Sequence, residues 1–295
     1  MKRDIQLAAL IAVALGLSAC RHHAAEPTHQ VAALGEAVRP AFFAPALRKL
    51  GGAHYHATLR LAAGKTGSTS GASPTAVTTT TDVWVDRTGN YRLHEENDHD
   101  GGRDVVLAGR ELAVALRYGK MIRRPAEEPE PTRLLEEGLG GPWSAFELGA
   151  PRAKVDKTGT DLVGGARATV YALSLAEGTA AVPPARPFSG LRAWRGAVTI
   201  DALTGRAVVD DASGALLGMD LTVAFETKTE AGPEQGTVEV HALVSDVAAT
   251  TPIERPAADE LVLRQRTVPE ARELLRGLVA APEHHGGGPA GERHP

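Results

Sequence analysis

Leu216 to Glu230 reads LLGMDLTVAFETKTE, and the alternation within it decides the fold. Met219, Leu221, Val223 and Phe225 share one parity, while Asp220, Thr222 and Glu226 share the other. Successive side chains on a strand point to opposite faces, so this segment predicts a strand with one dry face and one wet face. GTVEVHALVSDVAAT (Gly236 to Thr250) repeats the pattern, with Val238, Val240, Ala242 and Val244 opposing Glu239 and His241. The intervening AGPEQ is turn chemistry, and strands joined by short turns must pair antiparallel.

The same logic extends outward. RATVYALSLA (Arg167 to Ala176) and RGAVTIDALTGRAVVDD (Arg195 to Asp211) read as strands, with turns expected at Leu203 to Gly205 and at Ala212 to Gly214. Tyr55 to Ala62 and the β-branched Val77 to Asp86 are strands on either side of GKTGSTSGASPTA (Gly64 to Ala76), a loop with no means of packing a core. A meander follows through YRLHEEN, RDVVLAG and ELAVALRY; the last, Glu111 to Tyr118, sets Leu112, Val114, Leu116 and Tyr118 on one face. Helical segments are few. Gln30 to Gly52 predicts one helix or two short ones, broken at Pro40 and Pro45, and Thr132 to Gly149 predicts two pieces split between Gly138 and Pro142. Thr267 to Ala280 carries capping-box spacing at Thr267 and Glu270 and predicts a closing helix.

The amino-terminal residues have a different logic. Lys2 and Arg3 precede an apolar run from Leu7 to Leu17, then Ser18, Ala19 and Cys20, the one cysteine in 295 residues. Such a run gives roughly 16 Å of helix, against the ~30 Å a membrane-spanning helix must cross, so it reads as an export signal over residues 1–19. Leu17-Ser18-Ala19-Cys20 resembles the lipobox of bacterial lipoproteins. That resemblance implies cleavage before Cys20, acylation of its sulfur, and a tether to the membrane through it. A short polar stalk, residues 20–30, would link lipid to domain. Arg21 stands where the resemblance would put an Asp for inner-membrane retention, which implies the periplasmic face of the outer membrane.

Element order carries a second resemblance. A helical start, a run of strands, central helices and further strands, with the segments WVDRTGNYRLHEE, TDLVGGARATVYALSL and GAVTIDALTGRAVV, is similar to the LolA-like lipoprotein-carrier family and the mycobacterial lipoproteins of that shape. The implied fold is mainly β with some α: a curved antiparallel sheet forming an open half-barrel, a few helices covering its concave face. It would occupy residues 31–280 as one domain, with 281–295 a disordered tail. The implied function is transport of a lipid or lipoprotein acyl chain, with no catalytic residues.

So few helices leave much of a broad dry face without cover, and a hollow for an apolar ligand is expected there. Leu112, Val114, Leu116, Leu221, Val223, Phe225, Val238 and Val240 are the expected lining, with Trp143 and Phe146 as lid contacts. The same pattern also fits a sheet packed solid, whose outer face binds another envelope protein. These alternatives stay open in the sequence.

Composition narrows the rest. A formal net charge of −4 and a 4% aromatic share argue against nucleic acid as a partner. Glu96, Asp98, Asp100 and Gly101 take the first calcium-loop positions, but Leu107 falls where the bidentate Glu belongs, so a hairpin tip is expected. His54 and His56 share a strand face as a metal pair would, without a third ligand identifiable from spacing. His22, His23, His284, His285 and His294 lie near the ends of the chain. There is no G-x-S-x-G or S-x-x-K nucleophile motif. Neither an enzyme nor a cofactor or metal is expected.

Overall fold

Eleven strands form a single antiparallel sheet in the computed structural model, which describes residues 27–65, 75–177, 195, 198–229, 232–248 and 251–262. Two helices come first, α1 (Pro27–Val38) and α2 (Pro40–Lys49). A meander follows: β1 (Ala53–Lys65), β2 (Thr75–Val85), β3 (Tyr91–Asn97), β4 (Gly102–Ala108), β5 (Glu111–Leu116) and β6 (Ile122–Pro125). The chain then crosses through α3 (Glu130–Gly138), α4 (Gly140–Gly149) and a short 3-10 turn. A second meander closes the fold: β7 (Ala153–Val163), β8 (Ala166–Leu175), β9 (Thr199–Asp210), β10 (Leu216–Thr229) and β11 (Gly232–Ser245).

The spatial order β6-β5-β4-β3-β2-β1-β11-β10-β9-β8-β7 joins the two meanders at β1 and β11. Edge strands β6 and β7 do not pair with each other, so the sheet is open. The α3–α4 crossing must carry the chain from one edge to the other, and in doing so it lays both helices on one face. That face holds the main core, from Leu112 and Val114 on β5 to Leu203 on β9. The parity read from β10 and β11 holds: Met219, Leu221, Val223, Phe225, Val238, Val240, Ala242 and Val244 are all buried. Full burial of each larger side chain contributes roughly 1.5–3 kcal/mol.

Two close approaches seat the helices. A Cβ on Gly138 would collide with Leu93 of β3, and one on Gly149 with Leu203 of β9. Glycine at the last residue of α3 and of α4 therefore brings helix backbone directly onto sheet side chains.

The opposite face is also dry over β4 and β5. Val106, Ala108, Ala113, Ala115 and Met121 are buried there beneath Ile253 and Leu261 from the segment after β11. This strap is pinned by its backbone. Met121 N–H donates to Glu260 O (2.8 Å), Val262 N–H to Met121 O (3.0 Å), and Ile253 N–H to Asp86 Oδ2 (3.2 Å).

Several expectations change. Pro45 does not break α2; its neighbours Phe43, Ala44, Ala46 and Leu47 are buried, and their burial outweighs the roughly 3 kcal/mol cost of an interior proline. No turn occurs at Leu203 to Gly205, because β9 runs straight through. Gly205 is there for proximity: a Cβ on it would sit 2.5 Å from Asp220 O. β5 ends at Leu116, and Tyr118 lies beyond it in a turn, at φ 64° and 82% exposed. β7 carries no apolar alternation because it is an edge strand whose one fully buried side chain is Val155. α1 starts at Pro27, inside the expected stalk, and Gln30 Oε1 accepts the Lys157 N–H of β7 (2.8 Å). Residues 1–19, Cys20, the loop between β1 and β2, the helix expected at Thr267 to Ala280 and the tail lie outside the described residues.

Candidate functional site

Rows of paired residues across the helix-covered face show where a ligand could sit. One row runs Arg103, Glu95, Thr81, Ala57, Ala242, Met219 from β4 to β10. The next runs Asn97, Thr79, Leu59, Val240, Leu221. Both pass from polar to apolar within a few strands, and the change falls at β2 and β1. A cleft of about 490 Å³ opens above this boundary. Its floor is Ala57, Leu59, Thr79 and Thr81, and its walls come from the start of α2, the end of α3 and the start of α4.

The α3 wall is charged and largely self-neutralised. Arg103 donates to Glu137 (2.7 Å) and Glu95 (3.4 Å), and Arg133 donates to Glu137 (2.6 Å). Burial works against the Arg103 charge, but Glu95 and Glu137 more than offset it and hold its pKa above the ordinary value. Glu136 lies on the same wall. Across the cleft, the Arg39 guanidinium stands 5.1 Å from the Trp143 ring centroid and 5.7 Å from that of Phe42, which is half exposed. Pro40 and Ala41 continue that wall. The cleft thus offers a floor that is apolar on β1 and threonine-lined on β2, an aromatic side, and a charged α3 wall.

Of the ten residues expected to line a hollow, Trp143 is on the cleft wall. Leu112, Val114, Phe146, Leu221, Val223, Phe225, Val238 and Val240 are buried in the main core, and Leu116 is 41% exposed at the end of β5. Phe225 packs across Gly236, where any Cβ would strike its ring. The cleft residues Ala57, Leu59, Thr79, Thr81 and Glu95 were not anticipated. A signal for them existed: Thr79 and Thr81 share the parity of buried Val83 and Val85, so β2 turns polar on its dry side.

On the outer face, Asp82 Oδ1 takes hydrogen bonds from His54 Nε2 (2.7 Å) and His56 Nδ1 (2.9 Å), and His54 stacks on Trp84 at 4.6 Å. Burial would raise the Asp82 pKa, but these two histidines overcome it and hold it low. Among the described residues no three His, Cys, Asp or Glu side chains are arranged to hold a metal ion. The acidic tip at Asp98 is a hairpin turn in which Asn97 Oδ1 accepts the N–H groups of His99 (2.9 Å) and Gly101 (2.8 Å). No described helix is long and apolar enough to cross a membrane.

Several solved structures are similar to this chain at low identity. LppX of Mycobacterium tuberculosis, a lipoprotein, aligns over 77% of this chain and 99% of its own at 13% identity and a TM-score of 0.29. LprF from Mycobacterium bovis aligns over 76% of this chain and 98% of its own at 13% identity and a TM-score of 0.32. A Vibrio parahaemolyticus domain assigned to outer membrane lipoprotein sorting aligns over 71% and 92% at 8% identity and 0.21. No family model and no curated protein matches the sequence.

Proposed function

We propose that this chain is a non-enzymatic bacterial envelope lipoprotein, tethered through Cys20, that carries an amphipathic lipid with its acyl chain in the cleft over β1 and β2. The observation that supports this most is the position of the cleft on the polarity boundary. Ala57, Leu59 and Trp143 give the chain an apolar bed, and the charged groups lining the cleft keep a head group near water. The volume falls in the ~300–1,000 Å³ range of small-molecule sites. Apolar area removed from water there yields roughly 25 cal/mol per Å², enough for affinity without any buried charge. A tether at Cys20 would place this cleft near a membrane surface, where such a ligand is collected and delivered, and the periplasmic side of the outer membrane suits that role.

Native mass spectrometry of the exported protein with Cys20→Ser tests the reading. It predicts about one co-purifying lipid per chain, recovered by solvent extraction. Bare protein in both assays would overturn it and favour a packed module that binds another envelope protein.

A further inference from the structure

Two tyrosines are fully buried on the helix-covered face, and only one is satisfied. Tyr91 donates its hydroxyl to Pro131 O (2.7 Å). Tyr55 is 0% exposed, and among the described residues nothing accepts its hydroxyl hydrogen. Leaving such a group unmade costs of order 1–3 kcal/mol, so its retention calls for a partner. The Tyr55 hydroxyl lies behind Gly141: a Cβ placed there would be 3.9 Å from it. Gly141 is a cleft-wall residue in the first turn of α4.

That first turn is itself short of partners. α4 has ten residues, its N-cap Leu139 supplies no side-chain cap, and the opening Gly140 and Gly141 present N–H groups that the helix does not use. Pro142 follows and has none. Oriented N–H groups at a helix start favour negative charge. Arg39 stands at this end of the cleft on the Trp143 ring, with no carboxylate partner among the described residues. The α3 wall differs: its Glu95 and Glu137 are taken up by Arg103 and Arg133, with Glu136 the further carboxylate there. Of the two cationic side chains lining the cleft, Arg133 is paired with Glu137, and Arg39 is the one without a carboxylate partner among the described residues.

Building on the carrier reading, we propose that the ligand's head group is anionic, a carboxylate or a phosphate, and sits at the start of α4 between Arg39 and Gly140–Gly141, with the Tyr55 hydroxyl donating to one of its oxygens past Gly141. Burial pushes the Tyr55 phenol pKa well up, so it remains a donor across the physiological range.

The test uses three probes that share one oleoyl chain: oleate, oleoyl lysophosphatidate and neutral monoolein. Their affinities for delipidated Cys20→Ser protein are measured by calorimetry. At least one anionic probe should bind about tenfold more tightly than monoolein, the scale of a hydrogen bond to a charged group, and whichever it is separates carboxylate from phosphate. Tyr55→Phe, Gly141→Ala and Arg39→Gln should each shrink that ratio by about threefold or more. Gly141→Ala acts by placing a methyl between hydroxyl and ligand. Equal binding of all three probes, or a ratio unmoved by any substitution, would overturn the head-group site while leaving the carrier reading intact. Failure of all three to bind would overturn both.

Discussion

The helix-covered face has two halves built on one rule with opposite outcomes. Over β9 to β11, alternating apolar residues meet α4 directly, and Gly149 lets the helix settle against Leu203 and Val223 in the buried main core. Over β1 and β2, the same parity brings Leu59, Thr79 and Thr81 to that face, and the cleft there is bounded by the end of α3, the start of α4 and the start of α2. Filling therefore depends less on how many helices are available than on which parts of them reach the sheet. A helix side seals a surface; helix ends leave a gap with polar edges.

The largest expected effect lies in the filled half. Leu221→Ala should cost about 2–5 kcal/mol in urea unfolding, because a buried leucine leaves a cavity that packed neighbours cannot close. A loss below about 1 kcal/mol would mean that this half is not sealed. The open half should respond the other way. Leu59→Trp should lower lipid affinity about tenfold by occupying the floor of the cleft, while stability moves by less than about 1 kcal/mol, since overpacking is costly only where space is already filled. Equal damage to stability from both substitutions would erase the distinction.

The outer face supplies a third term for the comparison. Asp86 accepts from Thr88 (2.6 and 2.8 Å), Asn90 and the strap residue Ile253, and these bonds outweigh burial and hold its pKa below the usual value. A depressed carboxylate pKa contributes stability above the unfolded value near ~3.9, and that contribution is lost as pH falls through the folded value. Asp86→Asn should thus cost roughly 1–2 kcal/mol at neutral pH, with the gap from the parent narrowing below about pH 4. Urea titrations at both pH values check the sign. The smallest effect belongs to the exposed Arg60–Glu239 pair (3.1 Å), where Arg60→Ala should change stability by less than about 0.5 kcal/mol.

The open antiparallel sheet was legible because β10 and β11 alternate without interruption and their turns are short. Sequence pattern failed where a residue's role is set by what lies across from it. Gly205 reads as a turn and is a close strand contact; Pro45 reads as a break and is held in α2 by buried neighbours; β7 has no pattern because its side chains face solvent. The cleft was hidden for a related reason. Its position depends on where α3 ends and α4 begins relative to β1, and periodicity carries no information about that placement. Of the two expected lid contacts, Trp143 reaches the cleft wall while Phe146, three residues on, is buried in the core.

Photolabelling tests the central claim that the open half holds the acyl chain. Delipidated Cys20→Ser protein would be irradiated with a palmitate carrying a photoreactive group near the end of its chain, then digested and mapped. Label concentrated on peptides containing Ala57, Leu59 and Trp143, and displaced by excess oleate, is the predicted result. Label confined to the outer face or strap, or none that oleate displaces, would contradict it.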